Sequence, residues 1–386
     1  MPDISQPSRR LILAGGLVAA LPGYAFAVAP GDALGAFIEA ERVKAGIPGL
    51  AVGFARDGKV RLARGYGLAD IALKRPVTTD TMFHAASLTK TVTATAVARL
   101  AEQGRLNLDD PVAPRLDFPL ASPRFPQSPI TWRQLLTHTS GISDAKYYEI
   151  DFRSRGADSA LSLRDLLTGY LVPGGAHWSA EGCFSDRAPG AAWDYSNVGY
   201  ALLGYLAGRI GGQDMREQTR RQMFAPLGMR HTSWTIAETP ARLRATGYDP
   251  VDGRLTPVEA ICAPDWPGSM LRCSVTDFTR FAAAAANGGR AGGARLLGED
   301  AAAGMLAMRA PAGLPDWLTG QGLGWMESKL DGVARPNHWG GDPGVFTAAY
   351  LDPARRSAAV ILTNTTVTAE ARKAVKAIAV RLFSEA

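Results

Sequence analysis

Ser87-Leu88-Thr89-Lys90 is the stretch on which the reading of this chain turns. It opens a run in which Leu88, Val92, Ala96 and Leu100 recur at spacing four, ending near Gly104, so a helix with one apolar face is expected. Residues three apart on a helix share a face, which brings the Lys90 amine within reach of the Ser87 hydroxyl. A serine hydroxyl is a weak nucleophile near neutral pH and needs a neighbour to take its proton. A lysine withdrawn from water can do so, because desolvation lowers its pKa. A serine at a helix start also lies near free backbone N–H groups and the positive end of the helix dipole, which favour a developing oxyanion. Taken alone, the serine is more simply a helix N-cap. Ser-x-x-Lys recurs at Ser143-Asp144-Ala145-Lys146, after a Thr-His-Thr-Ser-Gly turn and before a polar stretch, and that copy is expected in a solvated loop.

Two later stretches carry polar groups that such a pair would use. Tyr195-Ser196-Asn197 stands before a helical run from Val198 to Ile210. A tyrosine beside a lysine can shuttle a proton, and an asparagine amide can fix a lysine or a substrate carbonyl. His338-Trp339-Gly340-Gly341-Asp342-Pro343-Gly344 stands before an apolar strand, and its glycines let a backbone approach a ligand closely. Singly, the tyrosine reads as packed near a helix cap, and the histidine as a structural residue of a strand-opening loop.

Their order along the chain changes that. Ser-x-x-Lys, then Tyr-x-Asn, then His-x-Gly before a late strand resembles the serine β-lactamase and penicillin-binding superfamily, where Ser-Asp-Asn and Lys-Thr-Gly are the familiar companions. The Tyr-Ser-Asn and His-Trp-Gly variants resemble its class C branch, which includes D-alanyl-D-alanine carboxypeptidases, D-aminopeptidases and family VIII esterases. Leu135-Leu136-Thr137-His138-Thr139-Ser140-Gly141, Gly268-Ser269-Met270-Leu271-Arg272-Cys273-Ser274 and the Gly-Gly-Asp-Pro-Gly segment are similar to stretches of that branch. The resemblance runs from about residue 35 to the C-terminus.

The resemblance implies an α/β (α+β) fold of the β-lactamase and transpeptidase-like kind, an antiparallel sheet flanked by helices with a mostly helical lobe. It implies that Ser87 is acylated, that Lys90 and Tyr195 exchange its proton, and that Asn197 positions Lys90 or the substrate. Backbone N–H groups of Ser87 and Gly341 would form the oxyanion hole, with Gly340 and His338 in the substrate pocket and His338 opposite Tyr195. No metal or organic cofactor is implied. The implied partner is a small molecule or peptide with a reactive carbonyl, in an esterase or D-amino-acid peptidase or carboxypeptidase reaction. A β-lactamase, or a penicillin-binding or sensor module that acylates without useful turnover, is the alternative.

The chain departs from dedicated class C β-lactamases at His338, where they carry lysine. A histidine there is mostly neutral at pH 7, so carboxylate recognition falls to another cation, with Arg335 and Arg272 the candidates. No Gly-x-Ser-x-Gly elbow of the α/β-hydrolase kind occurs.

Composition agrees with a globular enzyme: 386 residues, 46% hydrophobic and 20% charged. The net charge of +6 is scattered, with Arg-Arg pairs only at 9–10, 220–221 and 355–356, so no nucleic-acid partner is expected. Cys183, Cys262 and Cys273 leave room for one disulfide, most simply Cys262 to Cys273. No Cys-x-x-Cys or His-Glu-x-x-His occurs and the five histidines are dispersed, so no metal site is expected. Nothing in the pattern specifies an oligomer.

Residues 1–27 read as an export signal of the twin-arginine kind: Ser8-Arg9-Arg10, an apolar run, then Ala25-Phe26-Ala27 as a cleavage pattern. A retained anchor is the other reading, weakened by Gly15, Gly16 and Pro22. The mature chain is then periplasmic or secreted, with no stable membrane span after processing. Residues 28–386 form one catalytic domain, with sheet from about 35–85 and 290–386 and a helical lobe from about 86–289. The sheet signals are Leu50 to Ala55 and Lys59 to Arg64 around the hairpin dipeptide Asp57-Gly58, and Val345 to Leu351 and Ala358 to Thr363.

Overall fold

A computed structural model describes residues 32–385; the expected export signal at 1–27 lies outside them. Asp57 and Gly58 both take positive φ, 51° and 69°, as a two-residue hairpin turn with the natural strand twist requires. They join strand β1 (Gly49–Arg56) to β2 (Lys59–Asp70), which continues to a short β3 (Arg75–Pro76). Late in the chain come β4 (Gly320–Gln321), β5 (Met326–Leu330), β6 (Val333–Asp342), β7 (Val345–Asp352) and β8 (Ser357–Thr363). The eight form one antiparallel sheet in the order β4-β5-β6-β7-β8-β1-β2-β3. The late and early strands meet at β8 and β1, with Leu50 opposite Thr363 and Arg56 opposite Ser357.

Both central strands are buried on both faces, which explains their continuous apolar runs. One face is covered by α1 (Ala33–Lys44) and by the C-terminal helix, through a cluster containing Ile38, Val52, Phe346, Ile361, Val375 and Leu382. The other face meets a helix over Val275–Ala286, capped by the Ser274 side chain on Asp277 N–H. Its approach is so close that a methyl on Gly53 would fall 1.9 Å from Thr279 Oγ1. That helix belongs to the sheet layers although it falls in the stretch 86–289 expected to be the helical lobe.

The remaining helices pack beside the sheet around α2 (Thr89–Glu102) and α3 (Asn197–Gly211). Numbered onward, α4 is Val275–Ala286 and α5 is Ala369–Glu385. Helix α2 is buried almost all round, and its threonines stay satisfied inside: Thr91 and Thr95 donate to carbonyls one turn back, and Thr93 to Pro267. No helix among the described residues is long and apolar enough to cross a membrane.

The Cys262–Cys273 pairing is corrected: all three thiols are free and buried. Cys273 sits in a small sheet opposite Phe83 and Thr232, inside the main core, whereas Cys262 lies opposite Ser154 in a separate cluster with Ile236 and Met270.

Candidate active site

The chain reaches Ser87 through a strained turn. Ala86 has φ of +48°, a left-handed conformation costly for a residue with a Cβ, and Ala86–Leu88 form a single 3-10 turn before α2 begins. The turn is held from two sides, by Ala85 N–H on Leu271 O at 2.8 Å and by Thr347 Oγ1 donating to Ala85 O at 2.8 Å. Ser87 is thereby half-exposed while Lys90, one turn on, is fully buried.

Lys90 Nζ lies 3.3 Å from Ser87 Oγ, 2.6 Å from Asn197 Oδ1 and 2.8 Å from Gly268 O. It also stands over the Tyr195 ring, 4.7 Å from its centroid. Burial pushes the Lys90 pKa down to about 8; the charges of Asp265, Asp144 and Asp342 oppose that. Tyr195 is raised above the ordinary phenol range by burial, against a hydrogen bond with Ser87. The phenol is therefore protonated, while the lysine is poised between its two forms.

Asn197 is the first residue of α3, and Ser196 caps that helix through Gly199 N–H at 2.9 Å. The deeper anchor is Asp144, whose carboxylate accepts from Asn197 N–H at 2.6 Å, Val198 N–H at 3.2 Å and Ser196 Oγ at 3.0 Å. The second Ser-x-x-Lys copy was expected in a solvated loop. Lys146 fits that, paired with Glu149 at the surface, but Asp144 is buried. Tyr148 adds a hydroxyl that accepts from Asn197 Nδ2 at 2.9 Å.

β6 forms the opposite wall. A Cβ on Gly340 would fall 2.4 Å from Thr347 Oγ1, 2.5 Å from Ala85 O and 3.0 Å from Ser87 N, so the strand passes directly beside the nucleophile turn. Gly341 follows, half-exposed. His338 is buried with its ring centroid 6.4 Å from that of Tyr195. Its Nδ1–H donates to Trp339 O at 2.8 Å, which leaves Nε2 as a bare acceptor without a partner. Burial, then the Lys90 charge, hold its pKa down at about 3, so the ring is neutral.

Neither arginine proposed for carboxylate recognition reaches the site. Arg335 points to the other face of the sheet, paired with Asp352 and 4.2 Å from the Phe383 ring centroid. Arg272 is buried, spent on the carbonyls of Met270 and Ile261. Arg153 comes close but is engaged by Asp342 at 3.2 Å and Asp151 at 3.1 Å. No cluster of three or more metal-ligating side chains occurs among the described residues.

A half-exposed serine at a strained turn, backed by a buried lysine and faced by a phenol and an amide, defines a serine hydrolase of the acyl-transfer kind. The family model "Beta-lactamase" matches residues 34–382, and the chain belongs to the beta-lactamase family. It is 30% identical over 342 residues to Penicillin-binding protein 4 of Amycolatopsis lactamdurans, covering 84% of this chain and 83% of that protein. Protein flp of Staphylococcus aureus (strain N315) is 30% identical over 212 residues, but this match covers only 40% of its length and 55% of this chain. Among solved structures, SurE superposes with TM-score 0.72 and 28% identity over 92% of this chain and 75% of that one. D-amino acid amidase from Ochrobactrum anthropi SV3 gives 0.73 and 23% over 91% and 98%, a likeness of fold.

Proposed function

We propose that this protein cleaves ester or amide carbonyls through an acyl-enzyme on Ser87. The observation that carries this is the set of three contacts around Lys90 Nζ. Asn197 Oδ1 and Gly268 O can only accept, so each takes one N–H. The third direction faces Ser87 Oγ. In the ammonium it holds a proton; in the neutral amine it holds the lone pair. Loss of one proton therefore turns Lys90 into a base aimed at Ser87.

The steps follow from that geometry. Neutral Lys90 takes the Ser87 proton as Oγ bonds to the substrate carbonyl carbon. The carbonyl oxygen becomes an oxyanion, held by the backbone N–H groups of Ser87 and Gly341. The proton passes through the Tyr195 hydroxyl to the leaving oxygen or nitrogen, and the bond to the leaving group breaks. Water then adds to the ester on Ser87, giving its proton to the Tyr195–Lys90 pair, and the Ser87–acyl bond breaks with return of a proton to Oγ.

Substrates without a carboxylate suit this cleft best. His338 is neutral, and Arg335, Arg272 and Arg153 are all engaged elsewhere. Esters or amides of the D-amino-acid kind are favoured over penicillins. The similarity to Penicillin-binding protein 4 along most of its length supports a second reading, β-lactam acylation with slow release. The basic and apolar residues 8–27 support export to the periplasm or medium.

Hydrolysis of p-nitrophenyl butyrate by the mature protein, beside Ser87→Ala and Lys90→Ala, tests the reading. Turnover lost in both variants supports it. Unchanged turnover in Ser87→Ala removes the nucleophile.

A further inference from the structure

Tyr195 is gripped on both sides by one residue. Asp194 N–H donates to His138 O at 2.7 Å, and Ser196 N–H donates to His138 Nδ1 at 3.1 Å. Between those bonds the His138 ring stacks on the Tyr195 ring, centroids 4.3 Å apart and planes 28° apart. Lys90 Nζ also lies over the phenol ring, 4.7 Å from its centroid. The phenol thus contacts both an imidazole and the lysine that exchanges protons with Ser87.

His138 makes this contact at a cost. Its backbone sits at φ of +55°, uncommon for a bulky side chain. Its ring is buried, and Nε2 has no hydrogen-bond partner. Because Nδ1 accepts from a backbone N–H, Nε2 carries the proton of the neutral ring, so a donor is left buried and unsatisfied. Backbone strain and an unpaired buried donor at one residue need a compensating role; of the three aromatic rings that His138 meets, Tyr195 is nearest at 4.3 Å between centroids, with Tyr200 at 5.0 Å and Trp193 at 6.0 Å. A charged imidazole would also repel Lys90; burial, then the charge of Lys90, hold His138 neutral.

We propose that His138 is a positioning residue. Its ring face sets the height of the Tyr195 phenol between Lys90 and Ser87, and its Nδ1 bond to Ser196 fixes the orientation of that face. The proposal rests on the Ser87–Lys90–Tyr195 reading. It places the role in the phenol alone, so the effect of His138 must disappear when the phenol hydroxyl is gone.

A double-mutant cycle tests it, read as the rate of Ser87 labelling by a fluorophosphonate, which stays measurable in slow variants. His138→Asn keeps a short acceptor for Ser196 N–H and a residue type that tolerates positive φ, but removes the ring. The expected loss is about tenfold, as for a modest misplacement of a reacting group. In the Tyr195→Phe background the same change is expected to cost less than about threefold. Equal losses in the two backgrounds, or no loss in the first, overturn the proposal. His138→Phe makes the opposite exchange, keeping a ring face and giving up the acceptor. It is expected to lower Tm more than His138→Asn while retaining more of the rate; the reverse order also overturns the proposal. If the wild type is not labelled at Ser87, the underlying reading fails and this proposal with it. Normal labelling with equal losses removes the positioning role alone.

Discussion

Asp144 and Asn197, 53 positions apart, are joined by a 2.6 Å bond from the Asn197 backbone N–H to the Asp144 carboxylate. That bond fixes the first turn of α3 and so the amide that holds Lys90. The carboxylate also acts at a distance, since its charge raises the pKa of Lys90 against burial. Asp144→Asn removes the charge and keeps an acceptor. The acid limb of kcat/KM for a neutral ester is expected to move to lower pH in this variant. Asp144→Ala removes all three bonds and is expected to cost about 2–4 kcal/mol of stability, read by denaturant unfolding.

The wild-type pH profile follows from Lys90. Its folded pKa of about 8 lies below the ordinary 10.5, so activity is expected to rise with pH through a midpoint near 8 as the ammonium loses its proton. Stability has a matching sign. Between about 8 and 10.5 the unfolded chain binds more protons at this site than the native one, so native stability gains as pH rises through that window. The Tm of the wild type relative to Lys90→Met is expected to increase from pH 8 to pH 10.5. A flat difference would mean that Lys90 is not depressed.

Much of this was legible in the sequence, for a definite reason. Ser87 and Lys90 are coupled by helical spacing, which is local, and the apolar runs of β1, β7 and β8 and the periodicity of α2 are local too. The groups that complete the site are not. Gly268 contributes only a carbonyl, which no residue type announces. Asp144 lay inside a motif that looked like solvated loop, and only the packing of α3 against it shows that it is buried. Arg335 was a fair candidate by nearness to His338 in sequence. Strand alternation sends it to the opposite face, and a spacing of three along β6 could have shown that in advance. The 3-10 turn and left-handed Ala86 before α2 likewise come from the contacts with Leu271 and Thr347, both distant in sequence.

Specificity should yield to one substitution. His338→Lys places a permanent cation opposite Tyr195, whereas Arg335, Arg272 and Arg153 are engaged elsewhere. The ratio of nitrocefin to p-nitrophenyl butyrate kcat/KM is expected to rise about tenfold, the worth of one charge-assisted contact of about 1.4 kcal/mol. An unchanged ratio would show that charge at this position does not govern carboxylate recognition.

The two glycines of β6 should behave differently. A methyl on Gly340 meets Thr347 Oγ1, Ala85 O and Ser87 N at 2.4, 2.5 and 3.0 Å, two of them backbone atoms of the nucleophile turn. A methyl on Gly341 meets only the end of the Val367 side chain at 2.8 Å. Gly340→Ala is expected to lose at least about a hundredfold in kcat/KM, and Gly341→Ala considerably less. Equal losses would show that the steric contact with the turn is not what Gly340 avoids.

The central claim is that the acyl group passes through Ser87. The direct measurement is an acid quench during turnover of p-nitrophenyl butyrate, followed by peptide mass mapping. The expected result is a butyryl group on the peptide bearing Ser87, absent in Ser87→Ala, with hydrolysis lost in that variant. A butyryl group on Ser143 or another residue, or hydrolysis that survives unchanged in Ser87→Ala, would contradict it.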